Sequence, residues 1–172
     1  ADVYKRQPFT RMAGEEMPAG IGRPEALGEI ARDVLASGSW WLGIGLGAVE
    51  EPLPKDTREG RGAAFWAARE AIAKAKSQRA SRPLTVRGAE SGKEAAPWLD
   101  ECLGALAFII SRRTGAQRRV AAAWQRAGSA MAVADELGIS VQGARQRILA
   151  AGCEEEDDLV RLTARIAAEE LS

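Results

Sequence analysis

Histidine is absent from all 172 residues. That single gap excludes Ser-His and Cys-His catalysis and any His-ligated zinc. Metal chemistry is then confined to hard cations held by carboxylates. Cysteine is scarce as well: Cys102 and Cys153 have no metal or redox spacing and read as a reduced, cytosolic pair. Net charge is also missing. The 24 Lys and Arg against 24 Asp and Glu leave a formal +0, so no global field draws the chain to nucleic acid or to an anionic membrane. No apolar run approaches a membrane span and no secretory h-region is present. The expected location is cytoplasmic, with no membrane partner. What the chain does have is ordinary for a globular protein: 46% hydrophobic and 28% charged residues. Its length leaves room for one domain or two small ones.

The chain starts without Met, and residues 1–7 (ADVYKRQ) read as a translated adaptor scar. The expectation is that the natural N-terminus, and a strand with it, is missing. Phe9 to Met12 is a short strand candidate, followed by a turn at Ala13–Glu16 and a weak return strand from Met17. Pro24 opens a helix through Leu35, with Ala26, Leu27, Ile30, Ala31 and Val34 on its apolar face. Trp40 to Val49 is the most strand-like run. There Leu42, Ile44 and Leu46 line one face, and Gly43, Gly45 and Gly47 the other. A glycine face means that a helix or a ligand comes close to the backbone. A charged Pro- and Gly-rich loop leads to a helix over Ala63–Lys76, with Phe65, Ala68, Ile72 and Ala75 on one side. A brief strand follows at Leu84–Val86. Pro97 then opens an apolar helix, Trp98 to Arg112, sandwiched between two halves or placed at a dimer interface. Thr114-Gly115 is the expected hinge.

Beyond the hinge the pattern is all helical. Gln117–Ala127 forms one helix, with Val120 and Trp124 facing its core. Ser129 caps a short helix whose apolar side is Val133, Ala134 and Leu137. Gly138 can enter the left-handed region that stops it, and Ile139 plugs the corner. Ser140 caps the next helix, on which Ala144 and Ile148 face inward while Val141, Gln142, Arg145 and Gln146 face out. This is the layout of a helix-turn-helix, whose second helix enters the major groove of DNA. The acidic run Glu154–Asp158 starts a last helix, with Leu159, Leu162, Ile166 and Ala167 inward.

Two resemblances bear on this reading. The run VADELGISVQGARQRILAAG is similar to the helix-turn-helix of many bacterial regulators, close to VAxELGISxxxVxxRLxxAG. It departs at Ala144, where a larger branched residue is commoner, and at Gly143, which costs about 1 kcal/mol of helix propensity relative to Ala. The order RMAGEEM, helix, WWLGIGLGAVEEPLP, loop, GRGAAFWAAREAI resembles the SatD family over roughly residues 9–76. It is more distantly similar to the ferredoxin-like palm of class III nucleotide cyclases. That likeness implies a ferredoxin-like sheet, sets Glu15 where a metal-binding Asp would stand, and matches Arg69 to a nucleotide-facing arginine. Phe65 replaces the asparagine of that motif and the first metal carboxylate has no counterpart. Two-metal chemistry needs both ligand sets, so no catalytic residue is assigned and no enzyme is expected.

Gly43 to Ala48 also fits G-x-G-x-x-[GA] formally. The fingerprint needs a helix immediately afterwards to hold a pyrophosphate, and Val49-Glu50-Glu51-Pro52 is not one. The expected architecture is therefore α+β: an incomplete ferredoxin-like sheet with helices in residues 8–113, then an all-helical helix-turn-helix unit in residues 114–172. The expected function is a SatD-like DNA-binding transcriptional regulator, homodimeric and without a cofactor. Ser140, Val141, Gln142, Arg145, Gln146 and Arg147 would meet DNA, and Arg118, Arg119 and Arg126 could add backbone contacts. The competing reading is a nucleotide-sensing or vestigial cyclase-like module. It would bind a small-molecule or nucleotide effector at Gly43, Gly45, Gly47 and Arg69, and use the C-terminal helices only for assembly.

Overall fold

The computed structural model describes residues 23–38, 40–50, 60–77 and 83–170. The strands expected around Phe9 and Met17, the turn carrying Glu15 and Glu16, and residues 51–59 of the charged loop lie outside the described residues.

Pro24 opens a 3-10 turn, Pro24–Ala26, that runs into helix α1, Leu27–Ala36. Its fixed φ and missing N–H suit a first turn. Leu27, Ala31 and Leu35, each four residues on, form the buried line. Strand β1, Leu42–Leu46, pairs in parallel with β2, Leu84–Gly88, in the register Leu42 to Leu84 through Leu46 to Gly88. Parallel neighbours need a crossover. Helix α2, Ala63–Ser77, supplies it, so that strand, helix and strand form one βαβ unit. Among the described residues the sheet has these two strands, and β2 runs two residues past the expected Val86.

The two faces of the sheet meet different helices. Ile44, Leu46, Leu84 and Val86 join Leu27, Ala31 and Leu35 of α1 and Leu99, Leu103, Leu106 and Ile110 of the next helix in one core. That next helix, α3, spans Ala95–Arg112 and starts before Pro97. Proline inside a first turn removes an N–H that has no helical partner anyway. On the far edge of β2, Asp100 of α3 accepts the Val86 N–H at 2.7 Å, so a side chain satisfies a donor that points away from β1. The opposite face of the sheet lies against α2, whose buried line is Ala67, Ala71 and Ala75.

The chain then makes three shorter helices, α4 (Gly115–Ala127), α5 (Ala130–Leu137) and α6 (Val141–Ala150), around a second core. Val120, Ala123, Val133, Ala134, Ala144 and Ile148 fill it, with Trp124, Leu137 and Ile139 partly buried at its edge. The last helix, α7, runs from Cys153 to Glu170. Cys153 sits in the second core, while Leu159, Val160 and Ile166 pack on the first. A division at residue 114 therefore leaves α7 shared between the halves, and α3 lies between the sheet and α7. The inward line of α7 carries Glu156, Thr163 and Ala167, all buried. Leu162, expected to face in, is 39% exposed, because it falls between that line and solvent.

Candidate nucleic-acid interface

Short local hydrogen bonds set the three helices before any packing is considered. Thr114 and Gln117 form a reciprocal capping box: the Gln117 N–H reaches Thr114 Oγ1 at 3.3 Å, and the Thr114 N–H reaches Gln117 Oε1 at 2.8 Å. This starts α4 at Gly115, two residues before the expected Gln117. The Gln117 amide also donates to Ala150 O at 2.7 Å, tying the start of α4 to the end of α6. Ser129 Oγ accepts from the Ala132 N–H at 3.3 Å and begins α5.

The turn after α5 decides where α6 points. Gly138 sits at φ 63, a left-handed conformation that glycine adopts at little cost, and the Ile139 N–H returns to Ala134 O at 3.0 Å. Ser140 Oγ then accepts the Gly143 N–H at 3.1 Å and caps α6. With the turn and cap fixed, Ala144 and Ile148 enter the core. Ser140, Val141, Gln142, Arg145, Gln146 and Arg147 all lie exposed, as does Leu149 at the far end of the same face. All six residues expected to meet a duplex therefore face solvent, and the N-terminal half covers none of them. Two arms of this exposed set, Gln142 and Gln146, sit one turn apart with Arg145 beside them. Each glutamine amide can offer a donor and an acceptor to a base edge, and Arg145 paired donors.

No family model, curated protein or solved structure matches the chain.

The charge that balances over the whole chain is segregated along it. From Thr114 to Gly152 five arginines stand against two carboxylates, Asp135 and Glu136. Arg126, also expected to add backbone contacts, forms an exposed ion pair with Glu136 across α4 and α5. Arg118, Arg119, Arg145 and Arg147 are exposed and pair with no carboxylate among the described residues. The acidic run that follows is partly turned inward. Asp157 accepts the Trp124 indole N–H at 2.8 Å, and Glu156 is buried. Asp158 pairs with Arg161 of its own helix.

Glu156 belongs to a network that the sequence pattern did not disclose. Its carboxylate forms an ion pair with Arg113, which is itself buried, and accepts from the Gln125 amide at 2.6 Å. Arg113 also donates from Nε to Ala151 O at 2.7 Å and from Nη2 to Gly152 O at 3.2 Å. The Thr114-Gly115 junction, expected to hinge, is thus anchored by its preceding residue to the end of α6. A signal was available: Glu156 falls four and seven residues before Val160 and Thr163, on the inward line of α7, and only its neighbours are solvated.

Cys153, next to this network, has its thiol pushed up to about 11. Burial is the main cause, the carboxylates of Glu156, Asp157 and Glu155 add to it, and Arg113 opposes it. The group stays a neutral thiol at neutral pH and is no nucleophile. In an unfolded chain the same thiol ionises near its ordinary value, so between about 9 and 11 the unfolded state binds fewer protons and stability falls as pH rises. Cys153→Ala is expected to lessen the alkaline loss of stability in that window, measured by urea melts from pH 8 to 11. An unchanged slope would show that the thiol is not buried as described.

The ligand pocket expected on the glycine face has no space at its centre. A Cβ on Gly43 would stand 2.4 Å from Ile72 N, and one on Gly45 2.0 Å from Ala64 O. The body that comes close is α2. Among the described residues the helix after β1 begins at Ala63, well past Ala48. Arg69 is exposed and lies over the Trp66 ring at 5.2 Å, turned to solvent on α2. Among the described residues no three His, Cys, Asp or Glu side chains gather as a metal site, and no helix is long and apolar enough to cross a membrane.

Proposed function

We propose that the chain is a cytoplasmic DNA-binding regulator of SatD-like type, acting as a homodimer. In this reading α5 and α6 form a helix-turn-helix braced by α4, and α6 lies in the major groove. The observation that carries it is the exposed face of α6, on which Gln142, Arg145, Gln146 and Arg147 stand together between the apolar Val141 and Leu149. Gln142 and Gln146 read base edges, Arg145 reads guanine, and Arg118, Arg119 and Arg147 hold phosphates. The ferredoxin-like assignment of the N-terminal half is part of the same proposal but does not carry it: β1 and β2 are hydrogen-bonded parallel neighbours, whereas a split βαβ unit sets another strand between them. An effector, if the N-terminal half senses one, needs a surface other than Gly43 and Gly45, which α2 covers.

Selection from a random duplex pool supplies the site for the test. Arg145→Ala is expected to cost about 1–3 kcal/mol on the selected site and much less on random duplex. Equal losses on both would remove base reading from the account. The three arginines that hold phosphates set the salt dependence: the slope of log K against log salt should be roughly −3 per protomer. A slope near zero, or no selectable site, would overturn the proposal itself.

A further inference from the structure

We infer that the outer face of α3 is a contact surface for a second copy of this chain, antiparallel and crossing at Ala105. The inference adds to the proposed dimer but rests on α3 alone, so it can be tested with no DNA present. The inner face of α3 fills the first core, yet Trp98 and Phe108 on the outer face are 64% and 59% exposed. Two large apolar rings left uncovered on one helix face offer apolar area that a contact would bury. Trp98, Ala105 and Arg112 repeat at seven residues, and Glu101 and Phe108 fall at the intervening positions of the same repeat. That is the spacing of a two-helix seam. All five are exposed.

The charges along this seam say what covers it. The N-terminal end is acidic, with Glu94 and Glu101, and the C-terminal end is basic, with Arg112. A parallel copy would set like charges together. An antiparallel copy crossing at Ala105 sets each acidic end against the partner's basic end, with Trp98 opposite the partner's Arg112 and Phe108 near the partner's Glu101. The small side chain of Ala105 lets the two helices come close at the crossing. Arg112 already stacks over Phe108 at 4.8 Å, which keeps its guanidinium on this face. The same patch serves both copies, as a two-fold contact requires.

Sedimentation equilibrium of the 172-residue chain, without DNA, tests this. A concentration-dependent dimer is expected, and Phe108→Glu should raise its dissociation constant at least about tenfold. Because Phe108 faces solvent in one copy, the variant should keep the parent's circular dichroism and melting curve. Arg112→Glu should also weaken the dimer, and adding Glu101→Arg should restore it. Ala105→Cys should form a disulfide-linked dimer under mild oxidation faster than Ala116→Cys, which sits on the exposed side of α4. A chain monomeric at every concentration would overturn the inference. So would a dimer indifferent to Phe108→Glu, or equal cross-linking of the two cysteine variants. Loss of dimerisation without loss of selected-site recognition by α6 would separate this surface from the DNA proposal.

Discussion

Glu156→Ala should lower the stability of the chain by about 3–5 kcal/mol in urea unfolding, the range for removing one member of a buried ion pair. Against a typical total of roughly 5–15 kcal/mol this is a large share. The physical reason lies in what the substitution leaves behind. Arg113 remains inside the molecule, 6% exposed, with two backbone carbonyls to donate to but no counterion. The Gln125 amide loses its acceptor as well. Arg32 of α1, whose Nε stands 3.9 Å from the Glu156 carboxylate, loses that second anion and keeps Asp33 at 3.2 Å. Glu156→Gln keeps the shape and one acceptor, and should fall between the parent and the alanine variant. The double change Arg113→Met with Glu156→Leu should recover most of the loss, because replacing both charges by apolar groups leaves neither unpaired. A Glu156→Ala cost below about 1 kcal/mol, within the range of an exposed pair, would mean that the network is solvated. This experiment also bears on recognition. Arg113 grips the carbonyls of Ala151 and Gly152, so the double variant tests whether selected-site affinity needs the end of α6 to be held.

The three C-terminal helices were legible because every local rule pointed the same way. Ser129, Gly138 and Ser140 fell where a cap, a left-handed turn and a second cap belong, and the inward pair Ala144 and Ile148 kept helical spacing. The start of α4 falls at Gly115, ahead of the expected Gln117, because Thr114 caps its first turn through Gln117. Burial was misjudged where side chains carry little hydrophobic signal. The inner line of α2 is Ala67, Ala71 and Ala75, while the larger Phe65 and Ile72 are only partly buried. Alanines let that helix lie close to the sheet, and the expected stripe holds in part: Ala68 and Ile72 stand against Gly45 and Gly43, and Ala75 is buried. Glu156 escaped for the converse reason. An acidic run at a helix start looks solvated as a block, and only the phase set by Thr163 and Ala167 singles out the member that turns in. The glycine face was read correctly as a close approach, but one-dimensional spacing could not say whether a helix or a ligand makes it.

That choice has its own test, and the expected effect is large. Gly45→Ala should destabilise by about 3 kcal/mol or more, the upper end for overpacking a well-filled interior. The added Cβ would lie 2.0 Å from Ala64 O and 2.3 Å from Ala68 N, both backbone atoms of α2. No rotamer change relieves a clash with backbone, so the helix has to move off the strand by about an ångström or more, separating surfaces that otherwise pack at crystal-like density. In an open strand the same change would be favourable by roughly 0.5–1 kcal/mol, because alanine loses less freedom than glycine on folding. Gly115→Ala provides the contrast: nothing lies within 4 Å of its Cβ, at the first position of α4, and that variant should be neutral or slightly stabilised. Denaturant melts of the two variants therefore separate in sign as well as size. If Gly45→Ala kept the parent's stability, α2 would not be what fills the glycine face. The small-molecule pocket would then regain the space that the packing of β1 against α2 denies it.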